Sequence, residues 1–197
     1  MTETAPQIDP ERAMLLVMDY QPAILDRLPG AGELLQRLAG ALDVARRAGV
    51  AVGYVRVAFD DADYDAVPDT NKGLAAMATA RRLPSDAPET AVHSAVAPRP
   101  SDLVVRKTRL GAFSTTALDR RLRERGIDTL ILAGISTSGV VLSTVRDAAD
   151  RDYRLYVLAD ACADRDPDMH ALLMQKLFPR QAWVVAIADL PGLLGVA

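Results

Sequence analysis

Six short apolar runs, each followed by a turn or a helical pattern, constrain this 197-residue chain more than any other feature. They are AMLLVMD (13–19), VAVGYVRV (50–57), DLVVRK (102–107), DTLILAG (128–134), YRLYVLAD (153–160) and AWVVAIAD (182–189). Near-continuous runs of this length suit strands buried on both faces, as in a parallel sheet covered by helices. The stretches between them carry helical periodicity. In 32–49, Leu34, Leu35, Leu38, Leu42 and Ala45 share one face, and Gly49 suits the C-terminal stop. Residues 114–126 predict a helix with Ser114 as N-cap and Gly126 as its end, and 166–178 predict another with Pro167 at its first position. After the fourth run, Val140, Val141, Thr144, Val145 and Ala148 form the apolar face of a further helix. Before the fifth run, Asp152 stands where a capping Gly is expected; Asp tolerates the left-handed conformation, less well than Gly.

The length suits one large α/β domain, spanning 1–197 with its core at about 13–187, and is short for two. Residues 60–100 are rich in Asp and Pro, with one predicted helix at about 70–82. Such a segment can be a linker, but inside a compact domain it more often shapes a pocket or a subunit contact.

Charge and composition narrow the function. The chain has 23 basic and 26 acidic residues, and no basic stripe with interleaved aromatics, so a nucleic-acid partner is not expected. The Arg-rich DRRLRERG alternates with acids and reads as a solvated helix face. One cysteine, Cys162, cannot form an internal disulfide or a thiolate cage, and His93 and His170 stand far apart outside any metal-binding spacing. No metal or other cofactor is therefore expected. The polar N-terminus and the lack of a membrane-spanning apolar run imply a cytoplasmic protein with no membrane partner. What remains is a small-molecule ligand.

In open parallel sheets ligands bind beyond the carboxyl ends of the strands. The first run ends at Asp19, followed by Gln21; the second near Arg56 and Phe59; the third at Lys107, followed by Arg109 and Phe113; the fourth at Gly134 and a Ser/Thr-rich turn. Asp19 and Lys107 can form a buried acid–base pair, each biasing the other's charge, or a purely structural ion pair. The turn Ser136–Val140 opens a helix, so its backbone N–H groups can face an anion or oxyanion, with Gly134 and Gly139 allowing close approach; an ordinary Ser/Thr cap is the alternative. Arg56, Arg106 and Arg109 suit an anionic ligand, or surface ion pairs.

LLVMDYQ, the long stretch from VVRKTRLGAFSTT through LAGISTSGVVLSTVRDA, and YRLYVLADACADRDPDMH together resemble the isochorismatase-like cysteine hydrolase family, over about residues 13–187. The resemblance implies a three-layer α/β/α sandwich with a six-stranded parallel sheet, Rossmann-like, and an Asp–Lys–Cys triad. Asp19 matches the Asp and Lys107 the Lys. The family's T-x-x-C-V-x-x-T pattern reads TSGVVLST here, Thr137 to Thr144, so the nucleophile's place is held by Val140. The resemblance also implies a cis peptide near Ile135–Ser136, and substrate contacts from Gln21, Arg109, Phe113, Ile135, Ser136 and Gly139. A nicotinamidase-type metal set has no counterpart in RVAFDDADYD.

Val cannot carry an acyl intermediate, so thiolate amide hydrolysis is closed at this position. Isochorismatases, which keep Asp and Lys but carry Gly there, hydrolyse a vinyl ether by protonation from the Asp. Asp19 and Lys107 suit that chemistry, with Val140 filling space that Gly leaves open. The expectation is therefore a hydrolase acting on a small anionic molecule without a Cys nucleophile. The alternatives are a catalytically silent binding or assembly protein, and a nucleophile relocated to Ser136, Ser138 or Cys162, for which neither histidine has an obvious route as base. A family-like homodimer or higher homo-oligomer is expected.

Overall fold

The computed structural model describes residues 4–196. Strands β1 (Ala13–Met18), β2 (Ala51–Val57), β3 (Leu103–Lys107), β4 (Thr129–Ile135), β5 (Arg154–Ala163) and β6 (Trp183–Val185) form one sheet in the order β3-β2-β1-β4-β5-β6, and every pairing is parallel. The fold is the expected α/β sandwich. Successive side chains of a strand point to opposite faces, and β1 shows it. Leu15 and Val17 enter one core with Leu38, Leu42, Tyr54 and Ile131, whereas Met14, Leu16 and Met18 enter the other with Val105, Leu132, Val145 and Phe178. A strand that feeds two cores reads as an unbroken apolar run, which is why the six runs were visible.

The helix Ala31–Arg47 buries Leu34, Leu38, Ala41, Leu42 and Ala45; Leu35 packs at the edge of that core, partly buried. Gly49, Gly126 and Asp152 all take positive φ, at 81°, 69° and 64°. The expected stops therefore stand, including the one built without glycine.

Three elements differ from expectation, each for a local reason. The helix predicted from Ser114 begins at Leu118, because Thr116 Oγ1 donates to the Ala112 carbonyl (2.6 Å) and accepts the Leu118 N–H (3.1 Å), holding the preceding residues in a turn. The last strand is only Trp183–Val185. The N–H groups of Ala186 and Ile187 go to the Asp189 and Asp160 carboxylates (2.8 and 2.9 Å) instead of continuing the ladder, and a 3₁₀ turn follows. The helix from Pro167 is capped by Asp166, which accepts from Asp168 and Met169 N–H at 3.0 Å, and widens into a π turn at Leu173–Leu177.

The 60–100 segment holds two short helices, Asp61–Asp65 and Ala75–Thr79, of which the sequence indicated only the second. Gln21 anchors this segment. It is fully buried; its Oε1 accepts the Val57 N–H (2.8 Å), and its Nε2 donates to the carbonyls of Val57 (2.9 Å) and Thr90 (2.7 Å). One amide thus joins the end of β1 to the end of β2 and to the loop beyond.

Two stability outcomes follow from this geometry. Asp152→Gly relieves a left-handed non-glycine residue and is expected to stabilise the fold by about 0.5–1 kcal/mol. Gln21→Ala leaves buried backbone groups unpaired and is expected to cost about 2–3 kcal/mol. Urea unfolding checks both, as opposite shifts of the midpoint at constant slope.

Candidate functional site

The chain leaves β1 toward β2 and leaves β4 toward β5, so the loops after these adjacent strands diverge and open a crevice at the carboxyl edge of the sheet. Asp19 stands at the end of β1 with φ 59°, a left-handed conformation that Asp tolerates better than most residues. Its N–H still bonds the Val55 carbonyl (2.8 Å), so the side chain is turned on a backbone fixed to the sheet.

Lys107, at the end of β3, reaches across the end of β2. Its Nζ lies 2.8 Å from Asp19 Oδ2 and donates to the carbonyls of Arg109 (3.1 Å) and Leu110 (2.9 Å). All three ammonium donors are thereby used. Both side chains are buried, at 7% and 2% exposure for Asp19 and Lys107. Asp19 Oδ1 has no hydrogen-bond partner among the described residues. Burial raises the Asp19 pKa above the ordinary carboxylate value, and the charge and hydrogen bond of Lys107, with a smaller contribution from the nearby Val57 backbone, offset this only in part.

The Ile135–Ser136 peptide is cis, where the resemblance implied it. A single π turn, Thr137–Val141, follows before the helix Leu142–Ala149. Gly134 and Gly139 are close-approach positions. A Cβ at Gly134 would lie 2.9 Å from Val141 Cγ2, and one at Gly139 would lie 2.7 Å from Ser136 Oγ. Three of the turn's backbone donors are engaged: Ser138 N–H goes to Asp164 Oδ2 (2.7 Å), and the N–H groups of Gly139 and Val141 go to the Ser136 carbonyl (3.2 and 3.3 Å).

A cavity of about 300 Å³ opens on this edge. Asp19, Lys107, Arg109, Ile135, Ser136, Gly139 and Val140 all line it, so seven of the residues singled out from the sequence meet at one place. Gln21 and Phe113 do not. Gln21 is committed to the backbone as described, and Phe113 packs on Tyr153 beneath the Arg151 guanidinium. Both side chains are buried, and neither lines the cavity. Arg56 and Arg106 also lie elsewhere: Arg56 bonds the carbonyls of Ser85 and Thr90, and Arg106 pairs with Asp60 and Asp63. Arg27, Arg82 and Arg165, which periodicity and spacing gave no reason to select, line the cavity instead. The 60–100 segment contributes Gly73, Leu74, Met77, Arg82 and Leu83 to its wall, the pocket-shaping role expected of it.

The candidate replacement nucleophiles sit in poor settings. Cys162 is buried outside the cavity, and burial pushes its thiol up to about 12. Ser138 Oγ donates to Asp164 Oδ2 at 2.6 Å, a carboxylate held below its ordinary pKa: burial alone would raise it, but hydrogen bonds from Ser138 and neighbouring N–H groups outweigh burial. Such a group is a weak base. Ser136 lines the cavity without a histidine beside it. His170 does reach the turn, contrary to expectation. Its Nδ1 lies 2.8 Å from Thr137 Oγ1, but Thr137 is fully buried and burial lowers the His170 pKa. His93 Nδ1 accepts from Ala95 N–H at 3.2 Å and caps a 3₁₀ turn. Among the described residues, no group of three or more His, Cys, Asp or Glu is placed to share a metal ion, and no helix is long and apolar enough to cross a membrane.

Comparison with known proteins agrees with this geometry. The isochorismatase domain model matches residues 13–189. A ureidoacrylate amidohydrolase of Methylobacterium radiotolerans is 34% identical, over 96% of this chain and 82% of its own length. The phenazine biosynthesis protein PhzD of Pseudomonas fluorescens is 33% identical, over 90% and 84%. Among solved structures, an isochorismatase family protein of Burkholderia thailandensis superposes with a TM-score of 0.83 at 28% identity, covering 98% of this chain and all of that one. With its domain match, its parallel sheet and its Asp–Lys pair at the switch point, the chain belongs to the isochorismatase family.

Proposed function

We propose that this protein is a hydrolase acting on a small anionic molecule, with Asp19 as general acid and base and no covalent step at residue 140. The observation that carries this reading is the state of Asp19. One carboxyl oxygen is held by Lys107, the other is buried without a partner, and the residue lines the cavity beside Val140. Burial without a donor at Oδ1 disfavours the charged carboxylate and so favours the protonated acid. That is the form a general acid needs.

The reaction class that fits is proton-initiated cleavage of a vinyl ether or a related bond. Asp19 gives its proton to the vinyl carbon, leaving a carboxylate stabilised by Lys107 and an oxocarbenium ion. Water adds to the cationic carbon and returns a proton to Asp19, and the hemiketal collapses to ketone and alcohol. The sequence needs neither a nucleophile nor an oxyanion site, in keeping with Val140 and with the engaged N–H groups of Ser138, Gly139 and Val141. Amide hydrolysis needs both.

The test is turnover of a panel of isochorismate, carbamoyl amines and simple amides. Isochorismate or another enol ether is expected to be cleaved, and Asp19→Asn is expected to abolish that cleavage with the fold intact. Retained activity in Asp19→Asn overturns the mechanism; binding without turnover of any panel member makes the protein a silent binder.

The pH dependence has a definite sign. The protonated acid is required, so kcat/KM is expected to fall as pH rises through the raised Asp19 pKa. Lys107→Met removes the cation that lowers this pKa, so the falling limb is expected to move to higher pH. An unmoved limb would assign it to another group. Electrophilic trapping is expected to label neither Ser138 nor Cys162 in the folded protein, and an adduct located on either by mass spectrometry would establish a relocated nucleophile.

A further inference from the structure

A second cavity, of about 310 Å³, opens at the amino edge of the sheet, where β1, β2 and β3 begin. Asp19 and Lys107 stand at the other ends of these strands. Four segments converge on this cavity: the last turn of the helix Ala31–Arg47, the turn into β2, the approach to β3, and the stretch after the helix Leu118–Arg123. Between them they bring Arg46, Arg99 and Arg125 to its wall, with Ser101 beside them and Asp102 as the acid among the described lining residues. The reaction proposed above uses none of these side chains.

Asp102 Oδ2 accepts from Arg46 Nη2 and from the Arg99 N–H, each at 2.8 Å. The Arg46 and Asp102 side chains are 17% and 7% exposed, and among the described residues only the Asp19–Lys107 salt bridge is more buried. The two pairs have a further feature in common. Among the described residues, two buried side-chain polar atoms lack a hydrogen-bond partner, and they are Oδ1 of Asp19 and Nε of Arg46. The hydrogen bonds of the Arg46 guanidinium leave from Nη2, to Asp102 and to the Tyr54 hydroxyl (3.5 Å). An unpartnered donor on a buried cation is costly, and an acceptor brought by a ligand removes that cost. Arg99 and Arg125 are exposed and form no salt bridge among the described residues; Arg125 Nη1 donates to the Arg121 carbonyl (3.0 Å). Three cations thus share one acid, a local excess of positive charge on a chain whose net charge is −3. A concave site with such an excess focuses its field and draws in anions.

We propose that this amino-edge cavity is a second ligand site, in which Arg46, Arg99 and Arg125 bind a phosphate dianion, free or as the monoester of a small molecule. Phosphate is favoured over carboxylate by charge and by valence. A phosphate monoester carries about −1.5 to −2 near pH 7 and offers three strong acceptor oxygens, which match the excess of two cations and the three guanidinium groups. A carboxylate brings one charge and two oxygens and leaves one cation unmatched. Guanidinium forks suit phosphate oxygens in pairs, and the Ser101 hydroxyl adds a neutral donor. The site stands whether or not the protein is a hydrolase, because it shares no lining residue with the cavity that holds Asp19.

The test is calorimetry on the full chain in a phosphate-free buffer, with phenyl phosphate, inorganic phosphate and benzenesulfonate as probes. Benzenesulfonate keeps the aromatic body and the tetrahedral head of phenyl phosphate but carries one charge. Phenyl phosphate is expected to bind about tenfold or more tighter than benzenesulfonate, with the ratio shrinking as salt is added. Tighter binding of phenyl phosphate than of inorganic phosphate identifies an ester as the ligand, and equal binding identifies the free ion; both support the site. Arg99→Ala and Arg125→Ala are each expected to lower phosphate affinity about three- to tenfold. Arg46→Lys keeps the charge beside Asp102 but removes the fork and its Nε, and is expected to cost about tenfold. Should Arg46→Lys fail to fold, the exposed Arg99 and Arg125 still carry the test. Arg165→Ala, which alters the cavity that holds Asp19, is expected to leave phosphate affinity unmoved. No binding of either phosphate probe, equal affinity for benzenesulfonate, or a folded Arg99→Ala/Arg125→Ala double variant with wild-type affinity would each overturn the proposal. A loss in Arg165→Ala that the amino-edge variants do not share would place the anion at the other cavity and overturn it as well.

Discussion

The buried contact between Asp19 and Lys107 is the constraint to which the rest of the site answers. Taking two charges out of water costs several kcal/mol per ion, so such a pair survives only where its hydrogen bonds are completed. Lys107 is completed, by Asp19 and by the carbonyls of Arg109 and Leu110. Asp19 is not, because its Oδ1 stays without a partner. The surrounding structure supports this asymmetry: β3 and the residues after it hold the ammonium, while β1 delivers the carboxyl in a left-handed turn. Among the described residues that line the cavity, this oxygen is the buried side-chain polar atom left without a partner, and a ligand's donor can meet it.

The turn after β4 shows the complementary economy. In a thiolate hydrolase this turn would present a nucleophile and open backbone donors. Here Val140 is buried in the apolar wall, and Ser138, Gly139 and Val141 spend their N–H groups on Asp164 and Ser136. Under the proposed mechanism a thiol at this position is not needed, because the chemistry is begun by a proton. The same Asp164 that takes the Ser138 N–H and hydroxyl also ties the chain just after β5 to the turn after β4.

Legibility in the sequence followed the range of the forces involved. Strands that feed two cores print unbroken apolar runs, and helix stops print Gly49, Gly126 and Asp152, so sheet and connections could be read directly. Boundaries set by a single side-chain hydrogen bond, as at Thr116 or at Asp160 and Asp189, leave no periodic trace. Gln21 and Phe113 lie off the cavity, and adjacency to a strand end does not say which way a side chain turns. Gln21 turns to the backbone of Val57 and Thr90, and Phe113 to Tyr153.

The sequence by itself determined the parallel sheet and the strand ends that bear Asp19 and Lys107, because each is a matter of local pattern and residue type; only its resemblance to the family implied that Val140 stands at the nucleophile's place. The tertiary structure alone decided that Oδ1 of Asp19 lacks a partner among the described residues, that the N–H groups of Ser138, Gly139 and Val141 are engaged, and that Arg27, Arg82 and Arg165 line one cavity while Arg56 and Arg106 do not. Those facts depend on which loops converge at the switch point and on where each long side chain finds its hydrogen bonds, and neither is written in spacing along the chain.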